Sequence, residues 1–217
     1  MTYTGQVTPG GPPDVRELAD LTISKQSVGP MDNNAYLLRC RRTGEQLLVD
    51  AANDADRLLA LVGGTGLATV VTTHQHQDHW MALADVLEAT GAASVAHAAD
   101  AGPLPTVTRT VEDGETVRVG ACDLEVIHLV GHTPGSIALL YRDPGGHPHL
   151  FTGDSLFPGG VGNTFGSAEN FASLVDDVEA KLFDRLPDDT WFYPGHGNDS
   201  TLGAERPSIP QWRARGW

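Results

Sequence analysis

Short apolar runs, broken by Gly, Pro, Asn and Asp, set the pattern of this chain. "LTISKQSV", "NAYLLRC" and "EQLLVDA" read as early strands separated by turn residues. Asn53 then stands where it can cap a helix carrying Leu58, Leu59, Leu61 and Val62. "LATVVTT" has the pattern of a buried strand and delivers the chain to His74. "MALADVLEATG" has helical spacing at Leu83, Val86 and Leu87, and Gly91 ends it. The middle of the chain repeats the strand theme in "ASVAH", "ETVRV", "CDLEVIHLV", "SIALLYR" and "HLFTG". Apolar residues at 171, 174, 175, 178 and 182 form a helical stripe suited to core packing. A last strand, "TWFYPG", runs into His196. Many short strands with a few amphipathic helices predict sheet layers flanked by helices.

Residues 1–20 are rich in Gly and Pro and read as a flexible arm, leaving 21–217 as one domain. The first residues have neither a basic nor an apolar stretch of the secretory kind, and no apolar run is long enough to span a membrane. A cytoplasmic protein is the expectation. Fourteen basic against twenty-eight acidic residues leave a net charge of −14, which repels phosphate backbones and argues against nucleic-acid binding. Cys40 and Cys122 sit in separate strand-like runs and read as buried free thiols.

The chemistry concentrates in "HQHQDH", residues 74–79. In an extended segment His74 and His76 point the same way, because side chains alternate with period two. Asp78 and His79 then fall on the first turn of the next element. Imidazole nitrogen with carboxylate oxygen suits Zn²⁺ and similar ions. Three more ligand-type residues end apolar runs beside Gly or Pro: His132 in "LVGHTPGS", Asp154 in "LFTGDSLF" and His196 in "FYPGHGND". Five histidines and two aspartates exceed one tetrahedral site and match two ions sharing a carboxylate. Such a pair acidifies water and polarises a carbonyl or phosphoryl oxygen, which opens hydrolysis of thioesters, lactones, amides or phosphate esters. His97 reads as a packing or capping residue, His128 as a strand residue, and His147 and His149 as flanking a proline in a turn.

"HQHQDH", "GHTPGS", "TGDSLF" and "PGHG", in this order, resemble the metallo-β-lactamase fold hydrolases. The resemblance implies an α+β fold, a four-layer αββα sandwich with metals at one edge of the two sheets. It implies that His74, His76 and His132 hold one ion, that Asp78, His79 and His196 hold a second, and that Asp154 bridges them. A bridging hydroxide is then the nucleophile, with Asp78 and Asp154 as the catalytic carboxylates and Asp78 orienting the hydroxide. The ions implied are two divalent metals, Zn first, with Fe or Mn as alternatives. "GDSLFPGGVG", "YPGHG" and "STLGAERP" are most similar to the glyoxalase II-like branch, the hydroxyacylglutathione hydrolases and their short relatives. That branch implies a small-molecule thioester substrate; a homodimer is a further expectation.

Three features depart from the full-length glyoxalase II pattern. Only 21 residues follow His196, too few for the C-terminal helical domain that helps hold glutathione. Asn163 stands where relatives often carry Arg, and Trp80 where a smaller residue is common. The C-terminal "PQWRARGW" reads as a packing segment. Two other activities on the same scaffold remain open: a persulfide dioxygenase with one Fe²⁺ on His74, His132 and Asp154, and a lactonase or other esterase.

Overall fold

Strand residues in this protein divide by parity between two cores, and that division builds the layers. The computed structural model describes residues 2–216. One sheet runs in the order β1 (Asp14–Glu17), β2 (Leu21–Val28), β3 (Asn33–Cys40), β4 (Gln46–Val49), β5 (Thr69–Val71), β6 (Ala93–His97) and β7 (Arg109–Val111). The second contains β8 (Thr116–Val119), β9 (Cys122–His128), β10 (Ile137–Arg142) and β11 (Pro148–Gly153). A two-strand ribbon, β12 (Leu156–Phe157) and β13 (Gly160–Val161), follows outside it. β14 (Trp191–Pro194) and β15 (Ser200–Thr201) complete the second sheet beside β11. In β3, Tyr36, Leu38 and Cys40 face the other sheet, whereas Ala35 and Leu37 face helices. In β10, Ile137, Leu139 and Tyr141 face inward, and Ala138 and Leu140 face outward. This period-two sorting makes three apolar layers.

Helices α1 (Ala55–Val62) and α2 (Leu83–Thr90) cover the first sheet with Leu58, Val62, Leu83 and Val86. Helices α3 (Ala168–Val178) and α5 (Ile209–Arg215), with the one-turn α4 (Leu202–Glu205) between them, cover the second. The result is the αββα sandwich. The stripe at 171, 174, 175, 178 and 182 is buried throughout, although α3 widens into a π turn over Glu179–Phe183. Trp212 packs against Phe183 in this layer, as expected of the C-terminal segment; Trp217 lies outside the described residues. Both cysteines are free and buried.

The structure corrects three local readings. The arm before residue 21 is tied down: β1 pairs with β2, Tyr3 Oη donates to Asp199 at 2.6 Å, and buried Lys25 donates to Gly5 O and to Asp199. A fully buried ammonium needs such partners, and the N-terminal segment supplies one. Asn53 is not the cap of α1; Asp54 is, with φ 52°, and Asn53 Oδ1 accepts from the Asp54 N–H instead. His149 is not in a turn but buried in β11, its Nδ1 2.8 Å from Tyr193 Oη. Burial pushes its pKa down to about 3. Among the described residues no helix is long and apolar enough to cross a membrane.

Candidate metal centre

The carboxyl ends of β5, β9, β11 and β14 meet at one rim of the sandwich, and each is followed by a residue singled out in the sequence. Backbone bonds stitch the two sheets there, Ile137 N donating to Thr73 O at 2.9 Å and Asn34 N to Gly195 O at 2.7 Å, while Gly195 N donates to Gly153 O at 2.8 Å within the second sheet. The loops bearing His74, His132, Asp154 and His196 are thereby fixed against one another. All seven candidate residues converge in three overlapping groups. These are His74, His76 and His132; His74, His79 and Asp154; and Asp78, His79 and His196, with donor atoms within 4.8 Å inside each group.

The spacing suits coordination. Donors about 2.1 Å from a tetrahedral ion stand roughly 3.4 Å apart. His79 Nε2 is 3.4 Å from Asp154 Oδ1 and 3.5 Å from Asp78 Oδ2. His196 Nε2 is 3.3 Å from Asp78 Oδ2 and 3.6 Å from Asp154 Oδ2, and His132 Nε2 is 3.7 Å from Asp154 Oδ2. The Nε2 atoms of His79 and His196 face each other at 3.2 Å, which two neutral acceptors do not tolerate without a proton or cation between them.

Four of the rings are held by their other nitrogen. Nδ1 lies 3.1 Å from Thr73 Oγ1 in His74, 2.9 Å from Asp50 Oδ2 in His79, 2.7 Å from Asn163 O in His132 and 3.0 Å from Met31 O in His196. Each arrangement leaves Nε2 toward the centre, as in metal sites whose supporting groups fix the ring. His74 Nε2, His132 Nε2 and Asp154 Oδ1 are buried and have no hydrogen-bond partner in the protein. Unsatisfied buried polar atoms are costly, and a cation satisfies all three at once. Close backbone approach is also required: a Cβ on Gly195 would fall 2.1 Å from Asp154 Oδ1. The residues fit a metal.

Electrostatics divide the cluster. Burial, reinforced by neighbouring histidines, holds His74 well below the ordinary imidazole value, and burial also lowers His132. Both shifts favour the neutral imidazole that a metal ligand requires. Burial pulls His79 down too, but Asp154 and Asp50 outweigh it and raise it well above the ordinary value. His196 is likewise raised, by Asp78 and Asp154 against burial. Asp78 is lowered, first by its bond to His196 and then, against burial, by Asn33. Burial opposes ionisation of Asp154, yet the surrounding histidines keep it below the usual range.

Three functional residues escaped the sequence reading. Asp50, at the end of β4 with φ 59°, accepts from Thr73 N and Thr73 Oγ1 as well as facing His79. Asp100, almost fully buried, accepts from Gln75 N at 3.0 Å, Gly135 N at 2.7 Å and Thr133 Oγ1. It therefore joins the loop of His74 and His76 to the loop after His132. Asn33 donates to Asp78 Oδ2 at 2.9 Å. The only signal for the aspartates was an acid at the end of an apolar run. His97 caps the short turn that carries Asp100, its ring accepting from Ala99 N, and it stacks on His128 at 4.0 Å. Neither joins the centre.

The family model described as the metallo-beta-lactamase superfamily matches residues 28–196. A hydroxyacylglutathione hydrolase from a Polaromonas species is 38% identical over 166 residues, 76% of this chain and 62% of the relative. The chain thus spans 62% of that relative's length. The crystal structure of ETHE1 from Myxococcus xanthus matches with a TM-score of 0.78 and 30% identity, over 88% of this chain and 84% of that one. The structure of TTHA1623 in a di-iron-bound form matches at 0.69 with 32% identity, over 85% and 98%.

Proposed function

Because this chain belongs to the metallo-beta-lactamase superfamily, we propose that it is a metal-dependent hydrolase of the glyoxalase II type, cleaving a small-molecule thioester, a hydroxyacyl thiol by its likeness, at a binuclear site. The observation that carries this reading is the set of buried ligand-type atoms at coordination spacing that lack a hydrogen-bond partner: His74 Nε2, His132 Nε2 and Asp154 Oδ1. His74, His76 and His132 would hold one ion, Asp78, His79 and His196 the other, and Asp154 both. The similar protein TTHA1623 is di-iron-bound in its crystal structure, which supports a count of two. Zinc is the first choice here because imidazole and carboxylate suit it.

When bound, the ions supply an acidified water and a Lewis acid for the substrate carbonyl. The protein's own residues do the rest. Asp50 and the Met31 carbonyl fix the rings of His79 and His196. Asn33 donates to Asp78 Oδ2, and a carboxylate so bonded beside cations is a weak base. Its role is then to accept a hydrogen bond from the attacking water and orient it. The C–S bond breaks, water supplies the carboxylate oxygen, and the thiolate takes up a proton.

A second reading fits the likeness to ETHE1: one iron on His74, His132 and Asp154, oxidising a persulfide with O₂. The test is an assay of zinc-loaded and iron-loaded protein on S-lactoylglutathione and on a persulfide. Thiol release from the thioester by the zinc form supports the hydrolase. O₂ uptake by the iron form, with no thioester turnover in either, overturns it.

A further inference from the structure

Phe165 has φ 55° and is 69% exposed. A bulky aromatic in the left-handed region is strained, and strain of this kind persists only where the surroundings impose it. The surroundings here do so. Asn163 Oδ1 accepts from Phe165 N at 2.7 Å, Ser167 N donates to Thr164 O at 3.0 Å, and Gly166 follows with φ 80°. Ser167 then caps α3 through Asn170 N. The loop is anchored to the centre as well, since the Asn163 carbonyl is the partner of His132 Nδ1.

This construction sets the Phe165 ring edge-on to His76, at 5.5 Å and 84°, and against His132, at 5.9 Å and 33°. Behind it, a groove of about 410 Å³ runs between Val161, Thr164 and Ala168, and among the described residues no ionisable side chain lines it. Near the other group stands a second exposed apolar side chain, Met31, whose carbonyl holds His196. A hydrophobic ring kept in water at a backbone cost, against two metal-site histidines, has the form of a substrate wall.

We propose that Phe165 is a specificity-determining residue, selecting thioesters whose acyl group carries an apolar, preferably aromatic, substituent beside the scissile carbonyl. The proposal rests on the thioester reading for its substrate, and its test separates the two. S-mandeloylglutathione and S-lactoylglutathione differ only in phenyl for methyl. The wild-type enzyme is expected to favour the mandeloyl ester by about tenfold in kcat/KM, carried mainly by KM, the discrimination that one apolar contact supplies. Phe165→Gly accepts the left-handed φ without strain and removes the benzyl side chain. The preference should collapse toward unity in that variant and return in Phe165→Tyr, with metal content unchanged in both.

If neither ester is cleaved, the thioester reading fails, and thiol binding reads Phe165 independently. In cobalt-loaded protein, sulfur-to-cobalt absorption would show benzyl mercaptan binding about tenfold more tightly than 2-mercaptoethanol, a gap closed by Phe165→Gly. Equal affinities in the wild type, or a gap that survives Phe165→Gly, overturns the proposal.

Discussion

His79 Nδ1 stands 2.9 Å from Asp50 Oδ2, with both side chains essentially fully buried. That contact fixes the ring of a candidate ligand from the side away from the centre. Asp50→Asn should weaken metal binding at the Asp78, His79 and His196 group by about 10–100-fold, the usual effect of losing such a support. The His74, His76 and His132 group should lose less, because its only link to Asp50 runs through Thr73, the partner of His74 Nδ1. Competition with a chromophoric chelator, followed as two phases, checks this.

Asp100 makes a different prediction, because it touches no candidate ligand. Its carboxylate joins Gln75 N to Gly135 N and Thr133 Oγ1 across two loops. Asp100→Asn turns an amide N–H toward at least one of these donors and should cost about 1–3 kcal/mol of stability. Metal release should quicken with it. Thermal melting with and without metal, together with the rate of chelator-driven release, tests both effects.

Gly195 has no left-handed backbone, so only space forbids a side chain there. An alanine Cβ would meet Asp154 Oδ1 at 2.1 Å and His79 Cε1 at 2.6 Å. Gly195→Ala should fold and lose metal, because both displaced groups are candidate ligands. Circular dichroism like that of the wild type, with a reduced metal count, is the expected pair of results. A full metal count would show that the rim is looser than these distances imply.

The pH dependence follows from the two raised histidines. Without metal, His79 and His196 hold protons more tightly than free imidazole. Their contribution to stability is fully present below the unfolded value of about 6.5 and is lost as pH rises through their raised folded values. The metal-free protein should therefore melt at lower temperature above neutral pH. Metal binding must displace these protons, so affinity should fall as pH falls. Calorimetry in two buffers of different ionisation enthalpy measures the protons released.

Much of this was legible in the sequence, for physical reasons. The apolar runs of β3 and β10 marked them as strands, and the stripe on α3 marked its packing side. Four candidate ligands stood out because they crowd into six residues after a strand, and three because they stand beside glycine at strand ends. Supporting residues did not, because Asp50 and Asp100 act through contacts 29 and 35 residues away along the chain. The pinned N-terminal segment was illegible for the same reason: its partner, Asp199, lies at the opposite end of the sequence. Phe165 was not singled out, because its backbone angle and its contacts with His76 and His132 exist only in the fold.

A binuclear centre stands or falls on the number of metal ions per chain. Protein equilibrated with zinc and freed of excess by gel filtration would be counted by elemental analysis, beside Asp154→Ala. The expected count is about two equivalents in the wild type with a clear loss in the variant, since two ions sharing one carboxylate depend on it together. About one equivalent in the wild type, unchanged in Asp154→Ala, would contradict a shared-carboxylate pair.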